Sequence, residues 1–178
     1  MFRYALTYGS IIGVVIIAFM IAVMLVVGTD DLMTSEIAGY AVMLAVLSLV
    51  FIGIKRYRDV EHGGVIKFGQ AAAVGIGIAV VAAVFYVITW EVFLYATDFA
   101  FMQAYGDSMR ASIEAQSLSD AERAAQIAEL EEGMVMYANP LFRMPITFIE
   151  IFPVGLIVAL ISAAILRNAK VLPARAAA

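Results

Sequence analysis

Four stretches of the chain are apolar for long enough to cross a lipid bilayer. They cover residues 6–27, 37–54, 70–95 and 146–166, each close to the ~20 residues that a membrane-spanning helix needs. Because backbone amides in hydrocarbon must be bonded within their own segment, we expect helices rather than strands. The pattern predicts an all-α integral membrane protein with four transmembrane helices. These helices form a single membrane domain over residues 1–170, followed by a short C-terminal tail at 171–178.

The polar segment between the third and fourth apolar stretches, residues 98–139, has helical patterns of its own. Two sets of apolar residues recur at helical spacing: Phe101, Tyr105, Met109 and Ile113, then Ile127, Leu130, Met134 and Tyr137. Between them, Ser119-Asp120-Ala121-Glu122 matches the capping box that begins a helix. We therefore expect an extracytoplasmic helical hairpin, with a bend at Asn139-Pro140 or Met144-Pro145 before the fourth span.

Composition supports a bilayer as the solvent for much of this chain. Hydrophobic residues make up 64% of it and charged residues 15%, with a mean hydropathy of +0.97, against about 45–50% and about 25% in soluble domains. The net charge of −4 argues against nucleic acid as a partner. With no cysteine and a single histidine, the sequence predicts no disulfide, no metal centre and no cofactor site.

The distribution of cations predicts the orientation. Four crossings place most lysines and arginines on one side: Arg3, Lys55, Arg56, Arg58, Lys67, Arg167, Lys170 and Arg175. Arg110, Arg123 and Arg143 fall on the other side, with most of the acids. The positive-inside rule then puts both termini and a basic loop, residues 55–67, in the cytoplasm. Lys55, Arg56, Arg58 and Lys67 either contact anionic lipid headgroups or serve as topology determinants alone.

Two carboxylates fall within predicted spans, where ionisable groups are candidates for function. Glu150 lies near the outer end of the fourth span, and Glu91 near the outer end of the third. Arg143 is the nearest cation, and Pro153 should kink the helix beside Glu150. One interpretation is a polar site that opens outward and accepts a proton, a cation or a headgroup. The other is structural: one glutamate pairs with Arg143 while the second reaches water.

Small residues recur every four positions in three of the spans. The sets are Gly9 and Gly13, then Gly69, Ala73 and Gly77, and then Gly155, Ala159 and Ala163. Such faces let helices approach closely in lipid. They predict packing within the bundle or, for one of them, contact with a second copy or a protein partner.

Several motifs together resemble a known family. They are Gly53-Ile54-Lys55-x-Tyr57-Arg58-Asp59, Gly63-Gly64-x-Ile66-x-Phe68-Gly69-Gln70-Ala71, Glu150-x-Phe152-Pro153-Val154-Gly155 and Leu160-Ile161-Ser162-Ala163. In these the chain is similar to the bacterial membrane family catalogued as domain of unknown function 4199. The resemblance implies a four-span protein of the bacterial inner membrane and lends no activity, cofactor or catalytic residue.

The sequence is compatible with two classes of function. The sequence lacks a nucleophile beside a base, a metal-ligand spacing and a cofactor loop, so an enzyme is not expected. A structural, interaction or accessory membrane protein is the first expectation. The alternative is a small transporter or channel component with an outward-facing acidic site around Glu150.

Overall fold

The computed structural model describes residues 1–27 and 43–174. Within 1–27, side chains are described for residues 1–16 and 18. Six helices are defined there: α1 (Phe2–Val27), α2 (Leu49–Glu61), α3 (Phe68–Ala96), α4 (Ala100–Glu114), α5 (Asp120–Ala138) and α6 (Pro140–Leu166). Residues 43–47 are also helical, and a turn at Ser48 separates them from α2. The described chain is all-helical, without strands.

Four helices form the bundle, with α3 at its centre. Helix α3 packs along α1 and α6 and also contacts α2, which itself contacts α1 and α6. The core is made of medium-sized apolar side chains, among them Ile12, Leu47, Val50, Ile54 and Ile78. Helices α3 and α6 are long and apolar enough to cross a membrane, with mean hydropathies of 2.6 and 2.5. Long core helices of soluble proteins meet the same criterion of length and composition.

Small residues set how closely the helices approach. A Cβ atom added to Gly9 of α1 would lie 2.5 Å from Cβ of Val81 on α3. A Cβ on Gly75 of α3 would lie 2.9 Å from Cβ of Ala159 on α6. Two of the three predicted small-residue faces therefore pack within the bundle. The face that begins at Gly69 packs in part: that glycine meets nothing within 4 Å, whereas a Cβ on Gly77 would lie 3.2 Å from Cβ of Ala5 on α1.

The stretch predicted as a basic loop, residues 55–67, is mostly helix, and this prediction was wrong in its first half. Helix α2 continues through the cations to Glu61, and the turn is confined to the residues before Phe68. Gly63 and Gly64 take φ values of +59° and +90°, a region that L side chains rarely adopt. The amide of Gly64 donates to the carbonyl of Arg58 at 3.1 Å, which closes the end of α2.

The hairpin of residues 98–139 consists of α4 and α5 packed against each other. The predicted capping box forms: Ser119 Oγ accepts from the amide of Glu122, and the Glu122 carboxylate accepts from the amide of Ser119 at 3.0 Å. Asp98 and Phe99 have left-handed backbones and separate α4 from α3. The bend between the hairpin and the next helix lies at Asn139, which is the first of the two places predicted for it (Asn139-Pro140 and Met144-Pro145).

Helix α6 differs from the predicted fourth span in where it begins. It starts at Pro140, six residues earlier than predicted, and remains helical through both Pro145 and Pro153. Residues 37–42 of the second predicted span and 175–178 of the tail lie outside the described residues.

Candidate functional site

Arg143 reaches the bundle from the first turn of α6. Asn139 caps this helix, because its Oδ1 atom accepts from the amide of Leu141 at 3.0 Å, and Pro140 fits the first helical position. The amide of Arg143 donates to the carbonyl of Asn139 at 2.9 Å. This local geometry fixes the guanidinium at the corner between α5 and α6.

The guanidinium of Arg143 forms a two-pronged ion pair with Glu91 of α3. Nε donates to Oε1 at 2.7 Å, and Nη2 donates to Oε2 at 2.6 Å. Arg143 is fully buried and Glu91 is 7% exposed. Paired N–H···O bonds of this kind are the strongest arrangement available to arginine and carboxylate.

The third nitrogen of the Arg143 guanidinium, Nη1, donates to backbone carbonyls at the end of the hairpin. Nη1 donates to the carbonyls of Tyr137 at 3.0 Å and Ala138 at 3.2 Å, both in the last turn of α5. The guanidinium also lies 5.2 Å from the ring centroid of Phe99, within the range of a cation–π contact. A single side chain of α6 thus joins α3, the hairpin and the turn between them.

Glu150 lies apart from this pair. No hydrogen bond or ion pair within residues 1–27 and 43–174 joins it to Glu91 or Arg143, and its side chain is exposed. The structure therefore brings together two of the four residues in the predicted polar site. Pro153 is exposed on α6, and its missing N–H leaves the carbonyl of Ile149 without its usual helical partner.

Glu150 instead lines a cavity of about 420 Å³ between the hairpin and the bundle. Five aromatic residues share its wall: Tyr86, Trp90, Phe101, Tyr105 and Tyr137. The rest of the lining is Met102, Leu130, Gly133 and Met134. The indole N–H of Trp90 donates to the hydroxyl of Tyr137 at 2.9 Å, linking α3 to the hairpin.

Sequence reasoning missed this aromatic wall. In the sequence, Phe101, Tyr105 and Tyr137 belong to the predicted apolar stripes of the hairpin, whereas Tyr86 and Trp90 fall in the predicted third span. The signal was present in the spacing, because Tyr86 and Trp90 are four residues apart, as are Phe101 and Tyr105, so each pair lies on one helix face. Only the hairpin's return onto α3 and α6 brings the two pairs together.

The basic residues of α2 divide into buried and exposed members. Arg58 is fully buried, and Nη1 and Nη2 donate to the carbonyls of Val171 at 2.9 Å and Leu172 at 2.5 Å. It therefore holds the chain that follows α6, and its guanidinium is not placed to meet a lipid headgroup. Arg56 and Lys67 are exposed.

Asp59 lies between two cations on α2. Lys55 Nζ donates to Oδ2 at 2.5 Å, and Arg58 Nε donates to Oδ1 at 2.7 Å. Burial alone would raise the pKa of this carboxyl, but the two hydrogen bonds and the nearby charges outweigh it and hold the pKa below its usual value. Lys55 is thus engaged within the protein, which leaves Arg56 and Lys67 as the candidates for headgroup contact.

Within the described residues, no group of three or more histidine, cysteine, aspartate or glutamate side chains is placed to hold a metal ion. The chemistry that the described site does offer is a neutralised ion pair beside an aromatic cavity with one free carboxylate.

Comparison with known proteins places the chain in a family. No curated protein and no solved structure matches it. The model of the family described as protein of unknown function DUF4199 matches residues 7–168, which is most of the chain. The protein therefore belongs to the DUF4199 family.

Proposed function

We propose that this chain is a multi-pass membrane protein that acts as a structural or interaction component and not as an enzyme. It crosses the bacterial inner membrane four times, with both termini in the cytoplasm and the hairpin outside. The ion pair of Arg143 carries the proposal. Because it fastens the hairpin to α3 and α6, the outer hairpin is held rigidly on the membrane helices, which suits a surface that presents itself to a partner.

Contacts at one end of the bundle support the proposed orientation. The hydroxyl of Tyr4 donates to Glu61 at 3.0 Å, which joins the start of α1 to the end of α2. The Arg58 bond to Leu172 adds the chain after α6. The N-terminus, the basic residues of α2 and the C-terminal segment thus share one end, where the cations gather, and the positive-inside rule assigns that end to the cytoplasm.

An apolar surface beside the hairpin supports the interaction role. Val135 on α5 is 74% exposed and Leu141 at the start of α6 is 83% exposed, with Met136 and Phe142 also exposed next to them. These side chains lie outside the stripe that pairs α5 with α4. Adjacent exposed apolar residues of this kind are typical of sites that contact a protein or a lipid surface.

The small-transporter alternative has weaker support. A transport route needs a polar path leading inward from Glu150. On the same helix, the residues below it are buried in the apolar core, among them Ile151, Gly155 and Ala159. The interaction role requires no such path.

Cysteine labelling tests the topology. The chain has no cysteine, so single cysteines at Glu114, at His62 and at Ala177, which lies outside the described residues, report without background. A membrane-impermeant thiol reagent applied to intact cells should label position 114 alone. Labelling at 62 or 177 would overturn the four-span orientation.

Site-directed photo-crosslinking tests the interaction role. A photoreactive amino acid at Val135 should give a discrete protein adduct in intact cells. The same residue at Ser117, exposed at the hairpin tip, is the matched control and should give none. Equal adducts at both positions, or none at either, would contradict a partner-binding surface beside the hairpin.

A further inference from the structure

The cavity under the hairpin has an unusual combination of walls. Its lining combines five aromatic residues with a single carboxylate, that of Glu150, and the described residues contribute no lysine or arginine to it. Among the described residues no cation pairs with this carboxylate. Aromatic faces carry partial negative charge, so the rings and the carboxylate favour the same sign of ligand.

We propose that this cavity binds an organic ammonium cation, either free or as the headgroup of a lipid. The cation would lie against the rings of Trp90, Phe101 and Tyr105 and be balanced by Glu150. This inference goes beyond the proposed interaction role and does not depend on the topology, since the cavity is built from contacts within the folded chain.

The size and shape of the cavity agree with such a ligand. Its volume of about 420 Å³ lies in the range of about 300–1,000 Å³ typical of small-molecule sites. The rings of Trp90 and Phe101 pack edge to face, with centroids 5.5 Å apart at an interplanar angle of 84°, and both residues contribute to the lining. Several aromatic residues lining one pocket are a recurring means by which proteins recognise quaternary ammonium groups.

Anions, hard metal ions and neutral apolar molecules match the lining of the cavity less well than an organic ammonium cation. An anion would face a carboxylate with no basic residue in the lining. A hard metal ion needs six or more oxygen ligands, or several retained waters, whereas this lining has one carboxylate and three tyrosine hydroxyls. A neutral apolar ligand would leave Glu150 without a counter-charge.

The charges near the cavity are compatible with a bound cation. Arg143 lies 5.9 Å from the ring centroid of Tyr137, but its charge is balanced by the ion pair with Glu91. The hairpin segment that covers the cavity, residues 98–139, carries eight carboxylates against two arginines. An excess of negative charge around the entrance raises the local concentration of cations.

Fluorescence of the single tryptophan tests the proposal, because Trp90 is the chain's one tryptophan and lines the cavity. Purified protein in a neutral maltoside detergent is titrated with benzyltrimethylammonium. The neutral isostere neopentylbenzene is the control ligand. We expect a saturable change in Trp90 emission with the cation, and at least about tenfold weaker binding of the isostere.

Two variants locate the interaction. Glu150→Gln keeps the shape of the side chain and removes its charge, so it should weaken benzyltrimethylammonium binding about tenfold. Tyr105→Leu keeps an apolar wall and removes one ring, so it should weaken binding about threefold to fivefold. Glu114→Gln, an exposed carboxylate outside the cavity lining, is the matched control and should change nothing.

Several results would overturn the proposal. They are equal binding of the cation and its isostere, unchanged binding in Glu150→Gln, or no saturable change in any titration. If Glu150→Gln does not fold, the Tyr105→Leu titration decides in its place. The membrane topology can fail independently, since these titrations use detergent-solubilised protein.

Lipid discs then distinguish the two sources of ammonium. Discs of phosphatidylglycerol are compared with discs that also contain phosphatidylethanolamine. If the natural ligand is a lipid headgroup, phosphatidylethanolamine should compete and weaken the apparent affinity for benzyltrimethylammonium. If it is a free cation, the affinity should be the same in both discs.

Discussion

Replacing Arg143 by methionine should destabilise the protein strongly, because the change removes one partner of a buried ion pair. Methionine fills part of the space but leaves Glu91, which is 7% exposed, without its counter-charge. Breaking a buried pair from one side costs about 3–5 kcal/mol. The carbonyls of Tyr137 and Ala138 also lose their donor, although exposure of Ala138 lets water replace part of that bond.

A second substitution tests whether the cost comes from the stranded charge. In the double variant Arg143→Met/Glu91→Leu both charges are absent, and replacing a whole buried pair by apolar residues is often neutral or stabilising. We therefore expect the double variant to recover most of the stability that Arg143→Met loses. Arg143→Lys should recover little, because an ammonium cannot make both bonds of the fork.

An exposed ion pair of the same chemistry provides the control. Arg110 on α4 pairs with Glu131 on α5, and their side chains are 45% and 59% exposed. Arg110→Met should cost less than about 1 kcal/mol, as measured exposed pairs do. The free energy of unfolding is measured in detergent by titration with a denaturing detergent, followed by circular dichroism. Equal costs for Arg143→Met and Arg110→Met would refute the reasoning, because they would show that the Arg143 pair is not buried.

Three further predictions use the same unfolding assay. Arg58→Met should cost roughly 1–3 kcal/mol because it removes the donor to the buried carbonyl of Leu166 and to the partly buried carbonyls of Val171 and Leu172. The exposed Arg56→Met should change stability by less than about 0.5 kcal/mol. Gly9→Ala should cost about 1–3 kcal/mol because its Cβ would lie 2.5 Å from a side chain of α3, whereas Gly69→Ala, with nothing within 4 Å, should not destabilise. The folded-state pKa of Asp59 is lowered from 3.8, so its stabilisation is fully present above that value and is lost as pH falls through the folded pKa. The stability difference between wild type and Asp59→Asn should therefore shrink below about pH 4 and be constant at neutral pH.

Local rules predicted the local parts of this fold well. The capping box at Ser119 needs only four consecutive residues, from Ser119 to Glu122, and it forms as expected. The bend at Asn139 follows from a capping side chain followed by proline, two features that act over a single turn. The apolar stripes of the hairpin likewise face inward, since Ile113 of α4 is buried and Met134 of α5 contacts the position of Gly106.

Closeness along the sequence does not identify the ion-pair partner of Arg143. Arg143 and Glu150 are seven residues apart on one helix, which puts them on the same face but about 10 Å apart along the axis. That separation exceeds the reach of a direct pair. Glu91 lies 52 positions away along the chain but at the same depth on an antiparallel helix. The sequence placed both glutamates at the correct end, and helix packing decided which of them meets the arginine.

For Arg58 the error was the opposite one. Its place in a cluster of basic residues suggested a lipid contact, whereas its role is structural. A cation in a basic stretch was grouped with possible lipid contacts. The helical spacing Val50, Ile54, Arg58 puts it on the buried face of α2, where the end of α6 and the segment that follows it supply carbonyl acceptors. A charge on the apolar face of an amphipathic helix would have indicated this structural role. The prediction of a loop over residues 55–67 left that face unrecognised.

The two arginines explain how a core of small and medium-sized apolar residues can have one register. Alanine, glycine, valine and isoleucine at the contacts between α1, α3 and α6 allow close packing, but a helix shifted by one turn would present similar surfaces. Arg58 and Arg143 are the two largest fully buried side chains among the described residues; Arg143 lies in the first turn of α6, and Arg58 of α2 contacts the other end of that helix. Arg143 must find Glu91 on α3, and Arg58, which pairs with Asp59 of its own helix, must find the carbonyls at and after the end of α6. A one-turn shift of about 5.4 Å would therefore strand the charge of Arg143 and remove the carbonyl acceptors of Arg58. Packing therefore supplies the contact area, whereas the arginines select the register in which the hairpin and its cavity are assembled.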